Sequence, residues 1–347
     1  MYEKGCMRSI VTRKHSRSTV CLLLALCASS FLLLTGCSDL NNSFLDPKGP
    51  IAAAQKTHFI SVTLYSMIAA GPVFILVPYI LWRYRYKNKK AKYTPNWDFS
   101  GLLDSIMWGV PFLIIIVLSS QLWHSTKTLD PYLPLESDKP AVKVQVVGLD
   151  WKWLFIYPEY GVATVGELAF SADRPVSMVL TSDTVMQSFL ISALAGQIYV
   201  MPGMQTKLHV KADEPGVFVG ENTQFNGVGF PEQTFKAVAM TGDEFDQWVT
   251  KVRSEGVALN EATYKFLANR STAKEVYEAI GSSSMPEQVT YFNKVPTSLY
   301  ADVIARYHTG KAIPLNEQPG GALYMAKDAS VATDPPAVNV PGRGVAP

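Results

Sequence analysis

Cysteine is missing from most of this sequence, since all four cysteines lie near its start, at Cys6, Cys21, Cys27 and Cys37. The long region after Cys37 therefore excludes internal disulfides, zinc sites built on cysteine, iron–sulfur clusters and cysteine nucleophiles. Charge is also scarce, because Asp, Glu, Lys and Arg make up 17% of the 347 residues, against about a quarter in soluble domains. The net charge of +2 gives no sign of a nucleic-acid partner. We therefore expect a membrane protein with a soluble part.

The N-terminus has the pattern of a secretory signal peptide. Residues 1–20 contain five basic side chains and one acid, and the apolar run that follows, Val20 to Leu34, is too short to favour a spanning helix. Its end, Leu34-Thr35-Gly36-Cys37, resembles a bacterial lipoprotein box. We predict that residues 1–36 are cleaved and that Cys37 is lipidated, for example with palmitate. The alternative is an ordinary signal peptide with an incidental cysteine.

Two long apolar runs follow, Phe59–Trp82 and Leu102–Trp123, and each has about the length needed to cross a bilayer. The loop between them, residues 83–100, begins with ten residues that include six Lys or Arg and no acid. Short loops of this charge face the cytoplasm. We therefore predict a transmembrane hairpin over residues 58–123, preceded by a lipidated segment over 37–57. The protein is then expected in the bacterial inner membrane with both chain ends periplasmic.

Asp104 lies near the predicted cytoplasmic start of the second span. An ionisable side chain at this depth is a candidate functional residue. The other interpretation is an interfacial acid that stabilises the positive N-terminal end of the helix. The residues alone leave both interpretations open.

After a linker over residues 124–140, several segments alternate apolar and polar side chains as half-buried strands do. They are Ala141–Val147, Val176–Leu180, Thr206–Val210 and Thr234–Met240. Glycine, proline and aspartate separate them, which predicts a small β-sandwich or barrel over residues 141–242. His209 alternates within one of these segments, and we interpret it as a structural residue.

The sequence changes again after residue 242. Asp243–Val249 has the acidic first turn of a helix, within an aromatic-rich extension over 243–315. We expect this extension to be partly helical and to pack against the β domain or a partner. Residues 316–347 are rich in Pro, Gly and Ala without periodicity, and we predict a disordered tail.

The order of signal, hairpin and outer β domain, together with four sequence motifs, resembles subunit II of the haem–copper terminal oxidases. These motifs are Asp150-Trp151-Lys152-Trp153, Gln187-Ser188-Phe189, Met201-Pro202-Gly203-Met204 and the stretch Gly220–Gln233. The segments Gly203–His209 and Phe245–Val249 are similar to the bacterial quinol-oxidase branch, the cytochrome bo/ba type. The resemblance covers nearly all of the chain after Cys37 and implies a cupredoxin-like fold for the β domain.

In the cytochrome c oxidase branch this domain binds a dinuclear copper centre through two bridging cysteines, two histidines, a methionine and a glutamate carbonyl. The resemblance puts Gln187 and Phe230 at the two histidine positions, and Asn222 and Asn226 at the two bridging cysteines. Gln224 stands at the glutamate position and Gln233 at the methionine position. Amides bind copper weakly and a phenyl ring does not bind it, because copper prefers thiolate and imidazole. We therefore expect no metal and no catalytic residue in this chain.

The resemblance also bears on Trp151, Trp153 and Asp104. The two tryptophans match an aromatic stretch near the electron-entry route of the copper branch. Without copper we predict that they act in packing. Asp104 matches a family carboxylate, usually Glu, near the mouth of a proton channel in subunit I.

The resemblance implies a non-catalytic subunit 2 of a proton-pumping ubiquinol oxidase, which oxidises membrane quinol and reduces oxygen to water. Haem and copper are then expected in partner subunit I, with subunits III and IV and membrane lipid as further partners. The chain's role would be structural, in assembly, proton entry and quinol access. Two alternatives stay open: a cytochrome c oxidase subunit II with a degenerate copper site, and a free-standing cupredoxin-like lipoprotein that acts in binding or assembly.

Overall fold

A computed structural model describes residues 43–92, 94–172 and 174–309 of the chain. Three of the predictions made above concern residues outside these ranges. They are the signal peptide over 1–36, the lipidation of Cys37, and the disordered tail over 316–347.

Two long helices form the hairpin, α1 (Pro50–Arg83) and α2 (Gly101–Thr128). Both are long and apolar enough to cross a membrane, and the most apolar part of each is left uncovered by the rest of the chain. Each helix extends past the predicted apolar run towards the outer domain. Since α1 begins nine residues before Phe59, its first turns rise about 13 Å beyond the apolar run.

Two β-sheets pack face to face to form the outer domain. The seven-stranded sheet has the order β11-β12-β3-β2-β1-β5-β8, and the five-stranded sheet has the order β4-β10-β9-β6-β7. The strands are β1 (Val142–Leu149), β2 (Lys152–Tyr157), β3 (Val162–Val165), β4 (Glu167–Ser171), β5 (Val176–Ser182), β6 (Gln187–Ile191), β7 (Ala195–Val200), β8 (Thr206–Val210), β9 (Gly216–Asn222), β10 (Thr234–Met240), β11 (Val257–Ala258) and β12 (Thr290–Asn293). The four strands expected from alternation appear as β1, β5, β8 and β10.

Strand β1 has two halves that differ in burial. In the first half Val142, Val144 and Val146 face the core between the sheets, while Lys143 points out and is exposed. In the second half the outward side chains are also buried, because the C-terminal extension covers them: Val147 and Leu149 join a second apolar cluster. The seven-stranded sheet is therefore covered on its outer face over only part of its length.

The described part of the extension, up to residue 309, contains four helices, α3 (Gly242–Glu255), α4 (Glu261–Ala268), α5 (Ala273–Ile280) and α6 (Leu299–Ala305). A capping box at Thr241 starts α3, in agreement with the acidic first turn seen in the sequence. The extension also adds β12 to the β domain, with Tyr291 opposite Thr164 of β3. The sequence analysis did not expect this strand. Its four residues are too few for alternation to be visible.

Helix α1 attaches at the end of the sandwich where β1, the strand that follows α2, begins. At the start of α1, the Lys48 amide donates to the Ala193 carbonyl at 2.8 Å, and the Lys48 carbonyl accepts from the Asp213 amide at 2.8 Å. Val210 at the end of β8 pairs with Val176 at the start of β5. We call this end the attached end. The ends of β1 and β5 near Leu149 and Ser182 lie at the opposite, distal end.

Candidate functional site

The six positions matched to copper ligands lie near the distal end of the sandwich. They are Gln187 at the start of β6, Asn222 at the end of β9, Gln224 and Asn226 in the next loop, Phe230 in a short 3-10 turn, and Gln233 directly before β10. Strands β6 and β9 are neighbours, with Phe189 opposite Asn222. This pairing brings the first of the six positions beside the others.

The Gln233 side chain is fully buried and is the centre of this site. Its Nε2 donates to Oε1 of Gln187 at 2.7 Å and to the Leu149 carbonyl at 3.2 Å. Its Oε1 accepts from Nδ2 of Asn222 at 3.0 Å and from Nδ2 of Asn226 at 2.7 Å. Four amide side chains thus bind one another. We call Gln187, Asn222, Asn226 and Gln233 the amide cluster.

Most other polar atoms of the amide cluster also have partners. Gln187 Nε2 donates to Thr184 Oγ1 at 3.1 Å. Asn222 Oδ1 accepts from the backbone amides of Ser188 at 2.9 Å and Gln224 at 3.0 Å. Buried polar groups are stable when they are paired in this way. Within the described residues, Asn226 Oδ1 is the one amide oxygen of the cluster that is buried without a partner.

Two of the six positions do not join the cluster through their side chains. Gln224 takes part through its backbone, whose carbonyl accepts from Asn222 Nδ2 at 2.8 Å. The Phe230 ring packs near Phe225, with the ring centroids 5.7 Å apart, and Phe225 is largely exposed. Of the six positions, four therefore bind one another through their side chains.

The donor atoms at these positions do not suit copper. Copper sites in proteins are built from thiolate, imidazole and thioether ligands, whereas the amide cluster offers amide oxygens and nitrogens already bound to each other. Among residues 43–92, 94–172 and 174–309, no group of three or more His, Cys, Asp or Glu side chains is placed to hold a metal ion. We therefore derive no metal chemistry at this site.

Trp151 covers the loop that carries the cluster. Its backbone is left-handed, with φ of 68°, which is rare for a bulky residue. Its Nε1 donates to the Asn226 carbonyl at 3.3 Å. The ring lies against Gly227 and Gly229, and a Cβ at Gly229 would overlap it. Glycine is therefore required at 229 for this close approach.

Trp153, two residues later, is buried between the sheets. Its ring meets Phe189 edge-on with centroids 5.1 Å apart, and it lies 6.4 Å from the Phe235 ring. Such aromatic pairs stabilise a core beyond the area that they bury. This position supports the packing role predicted for Trp153.

Lys152 lies between these tryptophans, and the sequence analysis gave it no role. Its side chain is fully buried. Its Nζ donates to the carbonyls of Asp150 at 3.1 Å, Asn269 at 2.8 Å and Ser271 at 2.9 Å. Burial lowers the pKa of Lys152 to about 7, against the opposing charges of Asp150 and Glu275. The sequence did contain a signal for this buried charge, because Lys152 is the one charged residue in β2, whose other residues are aromatic or aliphatic.

Asp183 is a second buried charge that the sequence analysis missed. Both of its carboxylate oxygens accept from Arg306 Nη1 at 2.9 Å, and they also accept from the hydroxyls of Tyr264 at 2.7 Å and Tyr307 at 3.2 Å. Burial raises the pKa of Asp183 to about 6, although Arg306 and the hydrogen bonds oppose this shift. All three partners belong to the C-terminal extension.

Glu167 makes a third contact of this kind. Its Oε1 accepts from Trp248 Nε1 at 2.8 Å and from the Tyr291 hydroxyl at 3.4 Å. Burial raises the pKa of Glu167, and the two hydrogen bonds lower it in part. Lys152, Asp183 and Glu167 therefore each join the β domain to the extension, and we call them the ionic contacts.

Asp104 lies far along the chain from these groups, in the first turn of α2. Its side chain is exposed, and its backbone amide donates to the Ser100 carbonyl at 2.9 Å. An acid in the first turn stabilises the positive end of a helix. Both interpretations of Asp104 therefore remain consistent with its position.

The chain is similar to several known proteins. No protein-family model matches the chain. The cytochrome bo(3) ubiquinol oxidase subunit 2 of Pseudomonas putida is 45% identical over 257 residues, which cover 74% of this chain and 80% of that protein. The ubiquinol oxidase subunit 2 of Acetobacter aceti is 41% identical over 285 residues, covering 81% and 87%.

Among solved structures, the periplasmic domain of cytochrome oxidase subunit II from Bradyrhizobium japonicum is similar at 19% identity. The match covers 33% of this chain and 96% of that one, with a TM-score of 0.32.

Proposed function

The chain belongs to the quinol oxidase subunit 2 family, and we propose that it is the non-catalytic second subunit of a proton-pumping ubiquinol oxidase. The complex would oxidise membrane ubiquinol and reduce oxygen to water. Its relatives from Pseudomonas putida and Acetobacter aceti carry that name and match most of the chain. The observation that carries the non-catalytic role is the amide cluster, in which hydrogen-bonded amides stand where metal ligands would be needed.

Electron transfer through this domain would require a redox centre, and the amide cluster offers no ligand set for one. We therefore assign the haems and the copper of the complex to a partner subunit I. Subunits III and IV would complete the assembly. The hairpin supports this arrangement, because α1 and α2 expose apolar side chains along their length that must contact lipid or other membrane helices.

Lipidation of Cys37 belongs to the same proposal. The first described residues support it: the Phe44 ring packs on Phe59 with centroids 5.3 Å apart. Phe59 begins the apolar run of α1, so the chain at Phe44 lies at the level where that run starts. A lipid on Cys37, seven residues earlier, could then enter the outer leaflet of the inner membrane. The basic loop after Arg83 would lie on the cytoplasmic side, with both chain ends periplasmic.

A purification experiment tests the proposed function. The full-length chain, tagged at its C-terminus, is isolated from its native membranes in a mild detergent. We expect it to migrate with a large membrane protein, with haem absorbance and with ubiquinol oxidase activity. Migration alone would contradict the proposal and would favour a free-standing lipoprotein. Oxidation of reduced cytochrome c instead of ubiquinol would favour the other alternative.

Asp104 is proposed as a residue of the proton entry. Its side chain is exposed in the first turn of α2, next to the basic loop that the proposed topology assigns to the cytoplasmic side. In the purified complex, Asp104→Asn should slow proton uptake and turnover while assembly stays normal. Asp98→Asn, a nearby exposed acid in the same loop, is the matched control. Unchanged turnover and pumping in Asp104→Asn would reject this role and leave the helix-capping interpretation.

A further inference from the structure

A cavity lies on the outer face of the seven-stranded sheet, at the attached end. Its volume is about 360 Å³, within the range of small-molecule sites. The linker around Pro134 and Pro140 forms one wall, and neighbouring strands form the floor. This is the part of the sheet that the C-terminal extension leaves uncovered.

Three outward side chains form the floor as one row across β1, β5 and β8. Ser177 lies opposite both Lys143 and His209 in the strand register. Arg174 and Glu159 complete the polar lining. Because paired residues on adjacent strands point to the same face, these groups converge on the cavity from a rigid sheet.

His209 is the clearest sign that the cavity binds something. Its side chain is only 6% exposed, yet it lines the cavity. Among the described residues the imidazole has no hydrogen-bond or ion-pair partner. The ring nitrogens are therefore available to hydrogen-bond a molecule in the cavity. The sequence analysis interpreted His209 as structural, which stays a prediction, and the imidazole also lines the cavity.

The charged groups of the lining favour an anion. Lys143 and Arg174 are positive, and Glu159 is the one acid among the lining residues. Glu159 pairs with Lys143 at 3.2 Å. Arg174 uses Nε to donate to the Pro140 carbonyl at 2.9 Å, and its two terminal nitrogens are further donors of the same guanidinium. A guanidinium fork of this kind matches the oxygens of phosphate or carboxylate.

We propose that this cavity binds a small phosphate-type oxyanion through Arg174, Lys143, Ser177 and His209. Arg174 and Lys143 supply charge, and the Ser177 hydroxyl and one imidazole N–H supply further donors. Glu159 opposes the anion and limits its affinity. The site does not depend on the proposed oxidase function, because the four side chains that would bind the anion all belong to the outer domain.

The position of the cavity indicates the source of the oxyanion. The attached end lies about 13 Å beyond the start of the apolar run of α1, given the rise of a helix. A lipid headgroup layer is roughly 5–7 Å deep. Free phosphate from the aqueous compartment is therefore the expected ligand, and a phospholipid headgroup is the other source of the same chemistry.

Equilibrium dialysis of labelled inorganic phosphate against the complex purified in detergent tests the site. We expect one phosphate per chain, with the dissociation constant raised roughly tenfold by Arg174→Gln, the loss of one charge-assisted hydrogen bond. Glu159→Gln should instead tighten binding several-fold. A folding defect cannot produce such a gain. Lys236→Gln removes an exposed charge from the other sheet and is the matched control, expected to bind as the wild type does.

The source is decided by phosphorus analysis of phospholipid retained by the same proteins after detergent exchange. If inorganic phosphate does not bind but Arg174→Gln loses one retained phospholipid that Lys236→Gln keeps, the site stands with a lipid headgroup as its ligand. If neither form of phosphate binds, or if the Arg174→Gln and Glu159→Gln proteins behave as Lys236→Gln does, the proposal is overturned.

Discussion

Two regions of the outer domain bury polar side chains in different ways. The amide cluster around Gln233 is neutral, and its members bind mostly one another. The ionic contacts of Lys152, Asp183 and Glu167 are charged, and their partners lie in the extension, some 80 to 125 residues further along the chain. A neutral cluster can replace a metal site without burying charge. The charged contacts hold two parts of the chain together, and each depends on its partner.

The difference has an energetic basis. A buried charge is expensive to leave unpaired, so loss of one partner costs about 3–5 kcal/mol. A neutral amide that loses a partner costs about 1–3 kcal/mol. The comparison therefore predicts that single substitutions at the ionic contacts destabilise the protein more than substitutions in the amide cluster. It also predicts that only the ionic contacts respond to pH.

The largest effect is expected at Lys152. Lys152→Met removes the donor that the carbonyls of Asp150, Asn269 and Ser271 share. The free energy of unfolding should fall by about 3–5 kcal/mol, because three buried carbonyls lose their donor at about 1–3 kcal/mol each; urea unfolding of the full-length chain in detergent measures this. Lys207→Met, at an exposed position away from the ionic contacts, should change it by less than about 0.5 kcal/mol. Equal effects of the two variants would show that the Lys152 contact does not hold the extension.

Asp183 should make the free energy of unfolding fall as the pH rises. An acidic side chain whose pKa is lowered by folding has the opposite effect. Its pKa is about 6 in the folded protein against 3.8 for an ordinary aspartate, so the folded state binds the proton more tightly. The stabilising contribution is complete below about pH 4 and is lost as the pH rises through 6. It amounts to about 3 kcal/mol.

Asp183→Asn should abolish that part of the pH profile, measured as unfolding free energy from pH 4 to pH 7. Glu167→Gln is the control, because it removes another buried carboxyl that Asp183 does not contact. The Glu167→Gln profile should keep the part due to Asp183. A profile of Asp183→Asn parallel to that of the wild type would contradict the assignment.

Gln233→Leu should cost less and should not depend on pH. It leaves Asn222 Nδ2, Asn226 Nδ2 and Gln187 Oε1 without their shared partner. We expect a loss of about 2–3 kcal/mol, equal at pH 4 and pH 7 in the same unfolding experiment. Gln224→Leu is the matched control, because the Gln224 side chain takes no part in the cluster. A pH-dependent loss at Gln233 would indicate that a charged group, and not the amides, dominates this site.

The sequence allowed one of these regions to be found and not the other. The amide cluster was predictable, because the resemblance to a family with known ligand positions named Gln187, Asn222 and Gln233 directly. The contacts of Lys152 and Asp183 were not predictable, since their partners lie far away along the chain. The end of β1 shows the same limit: Val147 and Leu149 look like one side of a simple strand. Only the folded extension explains why both faces are buried there.

The smallest predicted effect, that of Thr272→Ala, tests whether the Lys152 contact stabilises the first helical turn of α5 in the extension. Thr272 starts α5 with a capping box, directly after Ser271, whose carbonyl Lys152 binds. Thr272→Ala should cost about 1 kcal/mol. Combined with Lys152→Met, it should cost less than it does alone, because the segment that it caps has already lost its contact with Lys152.

Thr241→Ala removes the same kind of cap from α3, which Lys152 does not contact. Its cost should add to that of Lys152→Met within about 0.5 kcal/mol. Additive costs for both threonines would mean that the extension holds its place independently of Lys152. The ionic contacts would then be local features like the amide cluster. If Thr272→Ala costs less in the Lys152→Met protein while Thr241→Ala costs the same, the buried Lys152 ammonium stabilises the segment that begins α5 as well as the β domain.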